Sequence, residues 1–123
     1  MTDRLFIVVI DGDESTRKAL ARLLRAAHMD AETYSSSDQF LVSLDGREPD
    51  CLVLDILMPG IAGTALRERL AGMGRSIPAV FITAANGVSR TQRATGVEVL
   101  HKPFGDEALL EAIGRAIRGR EAD

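Results

Sequence analysis

The sequence predicts an α/β domain in which a parallel β-sheet lies between two layers of helices. Short apolar runs alternate with segments of helical periodicity, and three of the runs are almost continuously apolar. Continuous apolar runs are typical of strands that are buried on both faces of a parallel sheet. The alternation implies βαβ units with right-handed crossovers, and therefore a three-layer domain. The 123 residues are enough for one such domain around a single core.

Five apolar runs are predicted as strands, and helical patterns fall between them. The predicted strands are residues 6–10, 31–34, 51–54, 79–82 and 97–100. Three apolar stripes with helical spacing predict amphipathic helices. The stripes are Leu20, Leu23, Leu24 and Ala27; Leu66, Leu70 and Met73; and Leu109, Leu110, Ile113 and Ile117.

One short helix is predicted by its capping residues, and another segment is only weakly helical. Ser36 and Gln39 have the spacing of a capping box, which predicts a helix start. This helix should carry three apolar residues, Phe40, Leu41 and Leu44. By contrast, residues 86–95 include glycine, serine and threonine, which are poor helix formers.

Composition limits the classes of function. A net charge of −3 and a pI near 5.4 argue against nucleic-acid binding by the domain as a whole. The single cysteine, Cys51, cannot form an internal disulfide. No apolar run approaches the roughly 18 residues of a membrane span, and no signal-peptide pattern is present. We expect a cytoplasmic location and one domain over residues 1–123, with residues 118–123 as a frayed tail or the start of a linker.

Polar and charged residues follow the predicted strands, where an open parallel sheet binds its ligands. They are Asp11, Asp13 and Glu14 after the first strand, Asp55 after the third, Thr83 after the fourth and Lys102 after the fifth. Carboxylates gathered at one edge repel each other unless a cation joins them. Mg²⁺ suits such oxygen ligands and is usually held by one or two carboxylates, waters and a phosphate. The pattern therefore indicates a site for Mg²⁺ and a phosphoryl group.

Three of these residues have chemically distinct roles. Asp55 is the natural nucleophile, because a carboxylate can accept a phosphoryl group covalently. Thr83 supplies a hydrogen-bond donor and Lys102 a positive charge for the remaining phosphoryl oxygens. Lys102 is one of only two lysines in a chain rich in arginine, which favours a specific role. Asp13 or Ser15 has an alternative role as the cap of the helix that follows.

Four short motifs carry a resemblance to a known family. They are Val9-Ile-Asp11, Asp55-Ile-Leu-Met-Pro-Gly60, Ile82-Thr83-Ala84 and Lys102-Pro-Phe104. Each motif alone is weak, but all four occur in order at the ends of predicted strands. Over nearly its whole length the chain resembles the receiver domain of bacterial two-component response regulators. The stretches from Tyr34 to Leu41 and from Pro49 to Asp55 look most like the nitrogen-fixation-type subgroup, which often carries a C-terminal helix-turn-helix domain.

The resemblance implies a flavodoxin-like, doubly wound sheet with strand order 2-1-3-4-5. It also implies that Asp55 is phosphorylated by a sensor histidine kinase or a phosphotransfer protein, and that the domain then switches a downstream output protein or domain. Thr83, Ala84 and Lys102 would bind the phosphoryl group. Such a domain catalyses only its own phosphotransfer and dephosphorylation, and binds neither nucleic acid nor membrane directly.

By the same resemblance, Mg²⁺ would be held by Asp11, Asp55 and the backbone carbonyl of Leu57, with Asp13 as a further candidate. The family usually has two consecutive acids after the first strand, and the second position is Gly12 here. A missing oxygen ligand predicts weak Mg²⁺ binding, because this ion demands near-ideal octahedral geometry.

Val99 stands at the switch position, where the family often has an aromatic residue. Valine has no ring to swing and a stiff χ1. The aromatic part of the family's switch is therefore expected to be absent, and the signal is expected to appear as ordering of residues 84–96.

Two alternatives stay open. Asp11-Gly12-Asp13 also reads as the Asp-x-Asp of haloacid-dehalogenase-like phosphatases, with Asp11 as nucleophile and Asp13 as general acid. The short chain, the absence of a further acidic strand end after Lys102 and the unexplained Asp55 motif weigh against this enzyme. The second alternative is a degenerate receiver that acts as a binding module without phosphorylation, which Gly12 keeps open.

Overall fold

The computed structural model describes residues 4–44, 46–56, 63–83 and 98–122. Strands and helices alternate along most of the chain. In order they are β1 (Phe6–Ile10), α1 (Glu14–Ala26), β2 (Asp30–Tyr34), α2 (Ser37–Val42), β3 (Cys51–Asp55), α3 (Gly63–Gly72), β4 (Ala79–Thr83), β5 (Glu98–His101) and α4 (Asp106–Ala122). Within these ranges, no helix combines the length and the apolar character that crossing a membrane requires.

The strands form one parallel sheet with the order β2-β1-β3-β4-β5. This confirms the predicted flavodoxin-like topology, and the predicted strands are confirmed to within one residue at their described ends. Asp55 and Thr83 were expected just after their strands, but they are the last residues of β3 and β4. The predicted start of β5 at residue 97 and the weakly helical segment 86–95 lie outside the described residues.

Alternate residues of the central strands face two separate cores. One core joins β-strand residues such as Ile7, Val9 and Val53 to α1 and α4. The other joins Val8, Leu52 and their neighbours to α2 and α3. Every residue of β1 and β4 is buried, as expected for strands covered on both faces. The helices cover both faces of the sheet and leave the carboxyl ends of the strands, here called the carboxyl edge, available for a site.

The predicted helix stripes are correct except at their ends. Leu66 and Leu70 are buried, but Met73 is 52% exposed and lies beyond the end of α3, so it does not extend the predicted apolar stripe. The helix α3 ends at Gly72, and the chain then reverses through Gly74, which has a φ of 80°. Met73 therefore lies beyond the helical turn that would have pointed it inward.

The capping residues of α2 are confirmed with one change. Ser36 is the N-cap and its hydroxyl accepts the Gln39 backbone N–H at 3.2 Å. In the reciprocal half of a capping box, the glutamine would accept the backbone N–H of Ser36. Instead, Gln39 Oε1 accepts from the backbone N–H and hydroxyl of Ser35, at 3.1 and 2.8 Å. The motif thus also fixes the residue that precedes the cap.

Candidate functional site

The carboxyl edge of the sheet brings together residues that lie far apart in sequence. Ile10 pairs with Leu54, and Asp55 pairs with Ile82, so the ends of β1, β3 and β4 lie side by side. The Lys102 backbone N–H donates to the Thr83 carbonyl at 2.8 Å, which extends the β4–β5 ladder by one step. Asp11, Asp55, Thr83 and Lys102 consequently share this edge, as their positions after the strands predicted.

Asp11 is a buried carboxylate with unequal oxygens. The residue is only 1% exposed. Its Oδ1 accepts the Asp13 backbone N–H at 2.8 Å, whereas Oδ2 lies 3.5 Å from Lys102 Nζ. Among the described residues, this buried Oδ2 has no hydrogen-bond partner. Because burying a charge is costly without compensation, a cation bound beside Oδ2 would stabilise Asp11.

Asp13 is the N-cap of α1. Its Oδ2 accepts the Thr16 backbone N–H at 2.8 Å and the Thr16 hydroxyl at 2.7 Å. The Thr16 hydroxyl bond and then its backbone bond hold the pKa of Asp13 below the usual value, because they stabilise the ionised form. The capping interpretation of Asp13 is confirmed, and the cap directs its Oδ2 toward the first turn of the helix.

Arg17 belongs to the same cluster, although the sequence analysis did not identify it. Its guanidinium donates from Nη1 to the Asp11 carbonyl at 2.7 Å. Helical side chains lean toward the N-terminus of their helix. Arg17 lies four positions after the cap Asp13, so its long side chain can reach back to the end of β1. That spacing was the available signal.

Other predicted residues lie elsewhere or outside the described ranges. Glu14 pairs with Lys18 across one exposed helical turn at 3.2 Å. Val99 is opposite Phe81 in the β4–β5 register and packs against the core formed with α2 and α3. The structure does not describe Leu57 or Ala84.

The described residues fit a Mg²⁺ site that has two carboxylates. Asp11 contributes a buried Oδ2 without a hydrogen bond, and Asp55 ends the neighbouring strand. Over the described residues, no three His, Cys, Asp or Glu side chains cluster as a metal site.

The fold and this edge define a signalling domain of the receiver type. The model of the response regulator receiver domain matches residues 7–114, and the chain belongs to that family. It is therefore a receiver domain of response regulators, a family of phosphoacceptor signalling domains in two-component systems. Domains of this family generally bind Mg²⁺ and interact with histidine kinases and output domains.

Among similar proteins are three bacterial regulators. The response regulator protein TodT of Pseudomonas putida is 31% identical over 96% of this chain and 54% of its own length. Nodulation protein W of Bradyrhizobium diazoefficiens is 33% identical over 89% of this chain and 50% of its own length. The transcriptional regulatory protein FixJ of the same species is 33% identical over 98% of this chain and 60% of its own length. The chain thus spans between half and three fifths of the length of these relatives.

Solved structures agree with this assignment. The response regulator StyR superposes with a TM-score of 0.81 at 37% identity, covering 98% of this chain and 63% of that one. A response regulator receiver protein from Burkholderia phymatum superposes with a TM-score of 0.80 at 37% identity, covering 94% of this chain and 96% of that one. The structure of FixJ-N gives 0.82 at 29% identity, covering 96% of each chain. The relation to nitrogen-fixation-type regulators is thereby supported by sequence and by structure.

Proposed function

We propose that Asp55 is the phosphoacceptor of this receiver, and that a histidine kinase or phosphotransfer protein is the donor. The observation that carries the proposal is the convergence of Asp55 with the ion pair of Lys102 and the buried Asp11, and with Thr83, at one sheet edge. A carboxylate that shares a sheet edge with a partly buried ammonium and a hydroxyl has what phosphoryl transfer requires, namely a nucleophile and groups that stabilise phosphoryl oxygens.

In the proposed reaction, an oxygen of Asp55 attacks the phosphorus of the phosphohistidine donor. A P–O bond forms, the P–N bond breaks, and its electron pair returns to the imidazole nitrogen of the donor. The Thr83 hydroxyl and the Lys102 ammonium receive the phosphoryl oxygens. Positioning and charge stabilisation dominate the catalysis of such transfers.

When bound, Mg²⁺ would supply positive charge to the phosphoryl oxygens. Asp11 and Asp55 would hold it, and the carbonyl of Leu57 and the carboxylate of Asp13 are the further candidate ligands. Asp13 is the weaker candidate, because its Oδ2 already accepts two hydrogen bonds from Thr16. Ala84 is proposed as a phosphoryl ligand on the resemblance of its motif alone.

Phosphorylation would bias a two-state equilibrium through charge. It adds about −1.5 to −2 charges to the edge, so Lys102 is drawn away from Asp11 and toward the new anion. Val99 packs against the core and has no ring, so we propose that the output signal does not use an aromatic rotamer at this position. Residues 84–96 remain the proposed segment that becomes ordered.

The decisive experiment is intact-mass measurement after incubation with a small phosphodonor and Mg²⁺. Wild type should gain one acid-stable, base-labile phosphoryl group, and Asp55→Asn should gain none. Asp38→Asn, which removes an exposed carboxylate from α2, is the matched control and should be labelled normally. An adduct mapped to Asp11 would instead support the phosphatase alternative. Wild type without any adduct would support the degenerate binding module.

A second experiment tests the effect of Gly12 on the metal. Gly12→Asp should tighten Mg²⁺ binding and accelerate phosphorylation, because it restores an oxygen donor at the carboxyl edge. Calorimetric titration of both proteins measures this effect. Equal affinities would mean that another group or water already replaces the missing ligand.

A further inference from the structure

Arg17 makes a contact that the proposed chemistry does not use. Its guanidinium is half-buried and donates to the Asp11 carbonyl at 2.7 Å. A hydrogen bond from a charged donor is stronger than one between neutral groups. The helix itself gains little from this charge, since a cation near a helix N-terminus opposes the helix dipole. The contact therefore points to a role at the end of β1.

The chain segment that Arg17 holds is the turn that presents Asp11. The Asp13 backbone N–H fixes Asp11 Oδ1 at 2.8 Å, and the Asp13 carboxylate is tied to Thr16. Gly12 lies between the two aspartates and has no side chain to restrict its backbone. Both ends of this turn are thus bonded to residues of α1, and Asp11 Oδ2 lies 3.5 Å from Lys102 Nζ.

We infer that Arg17 is a positioning residue for the metal-binding carboxylate: by holding the Asp11 carbonyl it compensates for the freedom of Gly12 and keeps Asp11 Oδ2 aimed into the site. The inference rests on the proposed function, since Asp11 is proposed there as a Mg²⁺ ligand. Arg17 contacts neither phosphoryl group nor metal in this role, and it acts through Asp11.

Electrostatics and positioning make opposite predictions for the loss of this arginine. A positive charge near a Mg²⁺ site repels the ion, so Arg17→Gln should tighten binding if charge alone matters. If Arg17 positions Asp11, the same substitution should weaken binding, because groups that orient metal ligands typically contribute about 10–100-fold to metal affinity. The sign of the change therefore separates the two.

The experiment measures Mg²⁺ affinity by calorimetry at fixed ionic strength on the 123-residue chain. The variants are Arg17→Gln, Arg17→Lys and Arg22→Gln, the last removing an exposed arginine from the same helix. Arg17→Gln should bind Mg²⁺ about tenfold more weakly than wild type. Arg17→Lys should recover part of the loss, because lysine can donate to the same carbonyl. Arg22→Gln should bind as wild type does, or slightly more tightly.

A metal-free measurement keeps this inference separate from the proposed function. Amide exchange at Asp13, followed by NMR, reports whether Asp11 Oδ1 still accepts that N–H. Exchange should accelerate in Arg17→Gln and stay unchanged in Arg22→Gln. Unchanged Asp13 exchange together with equal or tighter Mg²⁺ binding in Arg17→Gln would overturn the inference. If wild type binds no Mg²⁺, the metal part of the proposed function fails, and Asp13 exchange alone decides the role of Arg17.

Discussion

The charged residues at the amino ends of the strands are paired differently from those at the carboxyl ends. At the amino edge, where the strands begin, Asp30 pairs with Arg47 at 2.9 Å and with Arg4 at 3.5 Å. Asp50 Oδ2 accepts the Phe6 backbone N–H at 2.8 Å. At the carboxyl edge, the described residues give the buried Asp11 an ion pair with Lys102 at 3.5 Å and leave its Oδ2 without a hydrogen bond.

The two edges differ in how far water reaches their ion pairs. The side chains of Asp30 and Arg47 are 44% and 48% exposed, so water can replace either partner. The side chain of Asp11 is 2% exposed, so it depends on whichever cation is nearest. A buried carboxylate depends more on a neighbouring cation than an exposed one does, so we expect the loss of a partner to cost more at the carboxyl edge than at the amino edge.

The largest effect is expected from Lys102→Met, which leaves Asp11 buried without its cation. Removing one partner of a buried pair strands the other charge, and we expect a loss of about 2 kcal/mol in the free energy of unfolding. Urea denaturation measures it. Lys18→Met is the matched control, because Lys18 pairs with Glu14 on the exposed face of α1, and it should change little. Adding Asp11→Asn to Lys102→Met should recover most of the lost free energy of unfolding, because no unpaired buried charge remains. If the losses of the two single variants simply add in the double variant, this explanation is contradicted.

At the amino edge, Arg47→Met should have a smaller effect of about 1 kcal/mol or less. The guanidinium lies 4.9 Å from the Phe6 ring centroid and bonds the Arg4 carbonyl and Asp30. Methionine keeps a stem over the ring, and Asp30 can be hydrated. Urea denaturation in low and high salt checks this, and the difference from wild type should shrink with salt. If Arg47→Met lost as much free energy of unfolding as Lys102→Met, the proposed difference between the two edges would be contradicted.

Asp13→Ala should lower the melting temperature at neutral pH, because α1 loses its cap. The folded-state pKa of Asp13 is lowered from 3.8, so the cap contributes fully above that pH. The contribution is lost as the pH falls through the lowered folded-state pKa. The difference in melting temperature between Asp13→Ala and wild type should therefore shrink at acidic pH. Asp13→Asn retains an uncharged capping oxygen and should show no such titration. A gap that persists unchanged at low pH would contradict the ionised cap.

The smallest effect is expected from His28→Gly, a gain of about 0.5 kcal/mol. His28 has a φ of 66° at the end of α1, where the Met29 backbone N–H bonds the Leu24 carbonyl. Gly74 occupies the same position after α3 with a φ of 80°. Gly74→Ala is the converse variant and should be destabilising, since nothing crowds the new Cβ and only the backbone is strained. A destabilised His28→Gly would show that the imidazole contributes more than its strain costs.

Most of the sheet could be predicted because its signals are local. The burial of β1, β3 and β4 follows from continuous apolar runs, and parallel strands necessarily end at one edge. The positions of Asp11, Asp55, Thr83 and Lys102 at that edge then follow from their places in the chain. The cap Ser36 was also predictable, because it depends on residues only three positions apart.

The layers, the strand order (through the resemblance) and the residues that reach the carboxyl edge could therefore be read from the sequence. The pairing of those residues could be seen only in the folded chain. The carboxylates of Asp11 and Asp13 are two residues apart, yet one is buried beside Lys102 and the other caps α1. The reach of Arg17 to Asp11 and the exposure of Met73 were decided in the same way. The physical reason is that the direction of a side chain depends on where the chain leaves its strand or helix, and packing against the sheet sets that exit.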